Sequence, residues 1–262
     1  MTITGRVRLA LLGAVFAGTM AAGAAMYAAA TEPVGVPARC PASDDLLGAS
    51  ETSPAVAQAL RPGATLDVLV VGSAPLFGRT PPVPNTPGLV AFPWRMAEAL
   101  ETAVPGLKVA ITVRGGHGAT AGEMAGLIRD ELAARSYQLV LWQTGSVEAV
   151  KNLPPGDFTQ ALEDGVDAAT GHGVEVVLVD PQYSRFLQAH ADVEPYERAF
   201  EQVAAIPGVE LFPRFALMRR WAEDGGIDLE RTAEADRKPA LDLLHTCLGD
   251  YLARMVLAGG KS

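Results

Sequence analysis

The sequence predicts an α/β fold in which a five-stranded parallel sheet carries helices on both faces. Five short apolar runs rich in β-branched residues recur along the chain, and each is continuous, as expected of strands buried on both faces. Helical segments separate them, and this βαβα order is typical of parallel sheets with right-handed crossovers. The predicted strands are Leu66–Gly72, Leu107–Val113, Leu139–Gln143, Val174–Asp180 and Val209–Phe212.

Six segments between and after these runs have the spacing of amphipathic helices. Four of them connect successive strands, and two follow the last strand. The chain shows no internal repeat and no change of composition after residue 65, so residues 65–262 are predicted to form one domain. The predicted helices are Pro93–Ala103, Ala121–Arg135, Asp157–Thr170, Pro195–Ala205, Phe215–Glu223 and Ala240–Leu257.

The first thirty residues predict an export signal or a membrane anchor. Arg6 and Arg8 precede an uncharged run from residue 9 to residue 30, which is long enough to span a hydrocarbon core of about 30 Å as a helix. Three alanines at residues 28–30 also offer a small-residue cleavage site, so a cleaved signal peptide and a retained membrane anchor remain the two alternatives. The basic flank predicts a periplasmic location, free or anchored. Residues 31–64, rich in Pro, Ala, Ser and Thr, predict a linker or an N-terminal extension.

Composition excludes several classes of protein. With 49% hydrophobic residues, the chain can build a sizeable core, which excludes disorder for its bulk. Acidic residues outnumber basic ones 30 to 21 and the bases do not cluster, so we expect no nucleic-acid partner. Cys40 and Cys247 allow at most one disulfide, which export to an oxidising compartment favours. No cluster has metal-ligand spacing, and we expect no metal or other cofactor.

The loops after the strands carry the candidate functional residues, because ligands of open parallel sheets bind beyond the carboxyl ends of the strands. Ser73, after the first strand, is a possible nucleophile or a simple turn serine. Residues 115–118, Gly-Gly-His-Gly, offer backbone N–H groups to an oxyanion but lack the spacing of a dinucleotide motif. Asp242, three residues before His245, can orient an imidazole or act as a helix cap.

Together, the order of these features resembles the SGNH, or GDSL-type, hydrolase superfamily over about residues 66–257. A serine follows strand one, glycine loops follow strands two and three, and Asp-x-x-His lies near the C-terminus. The strings at residues 141–145, 180–184 and 212–215 look like those of a bacterial exported subgroup. The resemblance implies a flavodoxin-like sheet and a serine esterase mechanism without a cofactor.

Two signature blocks of the superfamily match this sequence directly. Asp242 and His245 match its Asp-x-x-His block, and Gly118 matches its oxyanion glycine. The resemblance therefore implies that His245 is the general base, that Asp242 orients it, and that the N–H group of Gly118 faces the oxyanion.

The first block, Gly-Asp-Ser, is altered. If Gly72 is its first residue, Ser73 occupies the Asp position and Ala74 the position of the nucleophile. Ser73 can then be the nucleophile only if the turn shifts by one residue. In that case the N–H group of Ser73 or Ala74 joins that of Gly118 in holding the oxyanion.

The third block, Gly-x-Asn-Asp, is also altered. Gly145 and Ser146 match its first two positions, but Val147 stands where the superfamily has an asparagine donor. We expect these three residues to line the substrate site, together with Gln182 and Tyr183 from the loop after the fourth strand.

These observations favour an exported serine ester hydrolase acting on O-acyl esters, with O-acetyl groups of carbohydrates among the candidate substrates. The alternative is a catalytically degenerate binding or accessory protein of the cell envelope that uses the same cleft. Either protein would contact a membrane only through an uncleaved N-terminal segment. A cytoplasmic nucleotide-binding protein is disfavoured by the leader and by the glycine spacing.

Overall fold

The five predicted strands form one parallel sheet. The computed structural model describes residues 39–48, 54–72 and 90–259. The strands lie in the order β2-β1-β3-β4-β5, and each neighbouring pair is parallel, which is the flavodoxin-like arrangement. The predicted fold class is therefore confirmed. The strands are β1 (Thr65–Gly72), β2 (Lys108–Gly115), β3 (Leu139–Gln143), β4 (Glu175–Val179) and β5 (Val209–Phe212).

The helices follow the predicted order, with three short additions, of which α1 precedes the first strand. All six predicted helices are present within a few residues of their expected bounds. Two helices of six residues each, α4 and α6, begin in the loops after β3 and β4, where one or two turns are too short to show helical periodicity in the sequence. The helices are α1 (Pro54–Ala59), α2 (Phe92–Ala103), α3 (Ala121–Ala134), α4 (Ser146–Lys151), α5 (Pro155–Thr170), α6 (Arg185–His190), α7 (Glu194–Ala204), α8 (Arg214–Glu223) and α9 (Arg237–Gly259).

The helices divide between the two faces of the sheet because of the strand order. The step from β1 to β2 crosses the sheet in the opposite direction to the later steps, so right-handed crossovers place α2 on one face and α3, α5 and α7 on the other. In agreement, α2 packs against α9, whereas α5 packs against both α3 and α7. Every side chain of β3 and β4 is buried between these layers.

The register of β1, β2 and β3 brings their carboxyl ends together at one edge of the sheet. Gly72, the last residue of β1, is paired with Gly115 of β2 and with Gln143 of β3. A Cβ atom on Gly115 would lie 2.1 Å from the carbonyl oxygen of Gly72, and the residue has a φ of 118°. Only glycine therefore permits this close approach, and the carboxyl ends of β1, β2 and β3 lie side by side.

Residues 39–48, within the segment predicted as a linker or extension, pack on the domain. Cys40 is joined to Cys247 of α9, with Cα atoms 5.3 Å apart, which confirms the predicted disulfide. The Ser43 N–H donates to the Tyr251 hydroxyl at 2.7 Å, and the Trp221 Nε1–H donates to the Ser43 hydroxyl at 3.0 Å. These contacts attach the N-terminal segment to α8 and α9.

None of the helices within the described ranges is both long enough and apolar enough to cross a membrane. The predicted leader, residues 1–30, lies outside those ranges.

Candidate active site

The predicted base, His245, lies buried on α9 against the start of α2. Its ring stacks on that of Phe92, with 6.3 Å between the centroids and 8° between the planes. The backbone N–H of Phe92 donates to Nδ1 of His245 at 3.3 Å. Helix N-termini leave such N–H groups without a partner inside the helix, so the imidazole serves as an acceptor for α2. In the neutral ring this contact places the hydrogen on Nε2.

His245 is uncharged at neutral pH. Burial, together with the positive charges of Arg214 and Arg95, lowers the pKa of its imidazole to about 4, while Asp242 acts in the opposite direction. A neutral imidazole is the form in which histidine can accept a proton from a nucleophile.

Asp242, the predicted orienting acid, is paired with an arginine. It lies on α9 three residues before His245, so that both side chains share one side of the helix. Its Oδ1 accepts a hydrogen bond from Arg95 Nη2 at 2.8 Å, and Arg95 also binds Glu98 at 3.0 Å. The structure thus brings Asp242 and His245 to one place, where Arg95 binds the carboxylate and Phe92 binds the imidazole.

The predicted nucleophile positions, Ser73 and Ala74, lie outside the described residues. The last described residue before them, Gly72, ends β1 between Gly115 of β2 and Gln143 of β3. Gly72, directly before the predicted nucleophile, therefore lies at the carboxyl edge of the sheet between β2 and β3.

Gly118, the predicted oxyanion residue, lies in the loop between β2 and α3 with a φ of 74°. A Cβ atom built on it would meet no other described atom within 4 Å, so space beside this residue is open in the part of the chain that the structure describes. The loop ends at Thr120, which caps α3 in a capping box with Glu123. The cap fixes the end of the loop that carries the candidate oxyanion N–H group.

The third predicted block forms the start of α4. Gly145 has a φ of 89°, and a Cβ atom there would lie 2.9 Å from the ring of Phe200, so a glycine is required. Ser146 and Val147 are partly buried in the first turn of α4. The side chain of Val147 has no polar atom and can donate no hydrogen bond to an oxyanion.

Glu148, the next residue of α4, joins this block to the glycine loop. Its side chain is buried, and Oε1 accepts a hydrogen bond from the N–H of Ala121 at 2.5 Å. A carboxylate at a helix N-terminus is favourable because the first N–H groups of the helix point at it. Glu148 therefore links the start of α4 to the start of α3.

Arg214, the first residue of α8, is a part of the site that sequence reasoning missed. Its side chain is 2% exposed and lies over the ring of Phe92, 5.4 Å from the centroid. Nη2 donates to Oε1 of Gln182 at 3.0 Å, while Nε and Nη1 have no hydrogen-bond partner among the described residues. Burial lowers the pKa of Arg214 to about 10, so it stays charged at neutral pH. A buried arginine cannot be told from a surface arginine by sequence spacing alone.

Asp180, directly after β4, lies beside this arginine. Its Oδ1 accepts the N–H of Phe215 at 2.7 Å, which caps α8. Burial raises the pKa of Asp180 to about 8, while this hydrogen bond and the charge of Arg214 lower it. The next residues of the loop, Gln182 and Tyr183, line a cavity at the carboxyl edge, where the sequence predicts the substrate.

Comparison with known proteins agrees with this arrangement. The model of the Non-GDSL lipase-like family matches residues 39–262. No curated protein matches the chain. Among solved structures, a catalytic mutant of Axe2, an acetylxylan esterase from Geobacillus stearothermophilus, is similar with a TM-score of 0.58 and 13% identity over 75% of this chain and 95% of that one. The lipase/acylhydrolase from Enterococcus faecalis is similar with a TM-score of 0.52 and 14% identity, over 72% and 94%.

The neighbours at this level of identity share the fold, and the family match covers the whole described body. The resemblance to the SGNH superfamily is thereby confirmed, and this chain belongs to the Non-GDSL lipase-like family.

Proposed function

We propose that this chain is an exported ester hydrolase of SGNH type that acts on O-acyl esters, O-acetyl carbohydrates among them. The observation that supports the proposal is His245, a buried and uncharged imidazole at the carboxyl edge, with Asp242 one turn before it on the same helix. The fold shared with the acetylxylan esterase Axe2 is consistent with this substrate class.

In this reaction the hydroxyl of Ser73 attacks the acyl carbonyl while Nε2 of His245 accepts its proton. The protonated imidazole then gives the proton to the leaving alcohol, and water releases the acyl group by the reverse steps. The N–H groups of Gly118 and of Ser73 or Ala74 hold the oxyanion. Because Val147 replaces a side-chain donor, turnover is expected to be slow: one missing donor costs about 10²- to 10³-fold.

The resting contacts of His245 must change for this reaction to proceed. With the Phe92 N–H on Nδ1, the ring proton is on Nε2, which then cannot accept the proton of a nucleophile. General-base catalysis needs the other tautomer, with Nδ1–H directed at Asp242. That arrangement requires Nδ1 to release the Phe92 N–H and to turn to Asp242, whose Oδ1 is bound by Arg95.

The same contacts favour a second function, the binding of an ester or carbohydrate without turnover. Phe92 and Arg95 occupy the groups that a triad uses, and the nucleophile position of the signature holds Ala74. In this form Nε2–H of His245 donates a hydrogen bond to the ligand. Such a protein would be an accessory component of the cell envelope.

Kinetics with an activated acetyl ester separate the two functions. The hydrolase proposal expects turnover by the full-length protein and its loss in Ser73→Ala and in His245→Ala. The double variant should lose little more, because members of a triad act as a unit. Ser136→Ala, an exposed serine between α3 and β3, is the matched control. An inert wild type that gains turnover on Ala74→Ser would exclude the first function and favour the second.

The export part of the proposal rests on the leader at residues 1–30. Fusion of residues 1–40 to a reporter that is active only outside the cytoplasm should give signal. Replacement of Leu11 and Leu12 by arginine should abolish it, because two strongly apolar side chains are lost and each charge in such a segment costs up to about 2.5 kcal/mol. A reporter that stays silent with the unchanged leader would contradict export.

A further inference from the structure

Phe92 contacts both a buried arginine and the candidate base. The Cζ atom of Arg214 lies 5.4 Å from the centre of the Phe92 ring, and the imidazole of His245 stacks on that ring with 6.3 Å between the centroids. The guanidinium carbon is therefore no more than about 12 Å from the centre of the imidazole. This separation is short enough for a charge on Arg214 to act on His245.

The charge of Arg214 is not neutralised by a bonded carboxylate. Its side chain is buried, and the only hydrogen bond that the described residues accept from it goes to the uncharged amide of Gln182. Nε and Nη1 have no hydrogen-bond partner among those residues. Burial raises the pKa of the nearby Asp180 carboxyl to about 8, so Asp180 is uncharged in acidic solution. A buried cation without a bonded anion acts on its surroundings more strongly than a cation in water.

Besides burial, three charged side chains act on the imidazole of His245, each from a different helix. Arg214 on α8 and Arg95 on α2 oppose a positive charge on the ring, whereas Asp242 on α9 favours it. Arg95 is bound by two carboxylates, those of Asp242 and Glu98, which offset its charge. Among these groups, Arg214 is therefore the cation that is left unbalanced.

The resting contact of His245 with Phe92 also depends on the protonation of the ring. A protonated imidazole carries hydrogen on both nitrogens, so Nδ1 can no longer accept the Phe92 N–H. The charge of Arg214 and this hydrogen bond thus favour the same form, the unprotonated ring. Only that form can accept the proton of a nucleophile.

We propose that Arg214 is a positioning residue of this site, which acts through His245 and keeps the resting base unprotonated far into the acidic range. This inference rests on the proposed hydrolase function. An ester hydrolase with this arrangement works from neutral pH down to about pH 5, where a histidine with the ordinary pKa of about 6.5 would be mostly protonated.

The test is the protonation of His245, followed by NMR of the imidazole C–H signals of the full-length protein from about pH 3 to about pH 8. The chain has four histidines, and the signal that is absent from His245→Asn identifies the residue. A unit charge about 12 Å away, at an effective dielectric constant of about 20, changes a pKa by about one. The midpoint should therefore lie near pH 4 in wild type and about one pH unit higher in Arg214→Met.

Two variants separate the charge of Arg214 from its packing. Arg214→Lys restores a cation and should return the midpoint towards that of wild type. Gln182→Glu keeps the side chain and its hydrogen bond but places a carboxylate on Arg214, so it should raise the midpoint even if Arg214→Met does not fold. Arg219→Met is the matched control, because Arg219 is an exposed arginine of the same helix that also lies over an aromatic ring, that of Phe215 at 5.9 Å. Its midpoint should equal that of wild type.

The midpoints decide whether the charge acts as proposed. A midpoint that is the same in wild type, Arg214→Met and Gln182→Glu would overturn the proposal. So would a midpoint in Arg214→Lys that equals the one in Arg214→Met, because the cation would then have no effect.

Hydrolysis of an activated acetyl ester measures the consequence for catalysis. The pH at which kcat/KM falls by half on the acidic side should rise by about one pH unit in Arg214→Met, whereas purely structural damage lowers kcat/KM at every pH without moving this limit. An acidic limit that stays in place while the NMR midpoint moves would overturn the proposal. If no ester is hydrolysed and the NMR midpoint still moves, the hydrolase function fails and the action of Arg214 on His245 stands.

Discussion

Protonation of His245 should destabilise the folded protein in a defined pH range. The imidazole takes up a proton at about pH 6.5 in an unfolded chain, whereas burial lowers its pKa to about 4 in the fold. Between these values the unfolded state binds more protons, so stability rises with pH. The contribution of the neutral imidazole to the free energy of unfolding is complete above pH 6.5 and is lost as the pH falls to about 4. The shift corresponds to roughly 3 kcal/mol in the free energy of unfolding.

The assay is denaturant unfolding of wild type and of His245→Asn from pH 4 to pH 7.5. The introduced asparagine would retain an acceptor for the N–H of Phe92 but would not titrate. Asp180 shifts stability in the opposite direction, because its raised pKa favours the folded state at low pH. Both proteins contain Asp180, so the difference between their free energies of unfolding reports on His245. The free energy difference should change by about 3 kcal/mol over this range. If the difference in free energy of unfolding between wild type and His245→Asn does not vary with pH, the pKa of His245 is not lowered in the folded protein.

Three further predictions follow from the contacts. Arg95→Met removes partly exposed ion pairs with Asp242 and Glu98, at a cost of about 0.2–1 kcal/mol each, and frees Asp242 for His245, so ester hydrolysis, followed by initial rates, should rise about tenfold. Gly145→Ala should destabilise the fold by about 1–3 kcal/mol in denaturant titrations, because its φ is 89° and a ring lies 2.9 Å away. Replacing both Cys40 and Cys247 by serine should cost up to about 5 kcal/mol in the same titrations, because the disulfide closes a loop of 207 residues.

Each of these predictions has a control within the chain. Arg198→Met also removes an arginine from an ion pair, on α7, and should leave hydrolysis unchanged. Gly122→Ala places the same methyl group on an exposed turn of α3, where it meets no described atom, and should be neutral or stabilising. A fall in hydrolysis on Arg95→Met would contradict the role given to its contact with Asp242. A Gly145→Ala variant as stable as wild type would contradict the requirement for glycine at residue 145. A double serine variant as stable as wild type would contradict the stabilisation by the disulfide.

The strands could be predicted from the sequence because a strand buried on both faces is a continuous apolar run. Such a run can be recognised without knowing which strands pair with it. The continuous run of β3, Leu139–Gln143, is buried at every position and was predicted with the bounds that the structure has. The disulfide could also be predicted, since Cys40 and Cys247 are the two cysteines of a chain whose first thirty residues predict export. By contrast, α4 and α6 have too few residues to show the helical spacing of apolar residues.

The parts of the site that sequence reasoning missed arise from contacts between distant elements. Arg95 lies 147 residues from Asp242, and Phe92 lies 153 residues from His245. Nothing near Asp242 or His245 in the sequence indicates these partners, and an arginine near a helix start, such as Arg214, is usually on the surface. The Asp-x-x-His spacing predicts that the two side chains share one side of a helix, but it does not predict which groups they bind.

Covalent labelling tests the central claim, that this fold carries a working serine hydrolase site, most directly. Full-length protein is treated with a fluorophosphonate, and the modified residue is identified by peptide mass spectrometry. We expect one adduct, on Ser73. This adduct should disappear in His245→Ala because the base that activates the hydroxyl is gone. Wild type without an adduct, together with an adduct on the introduced serine of Ala74→Ser, would contradict the claim and identify a cleft that binds without cleaving.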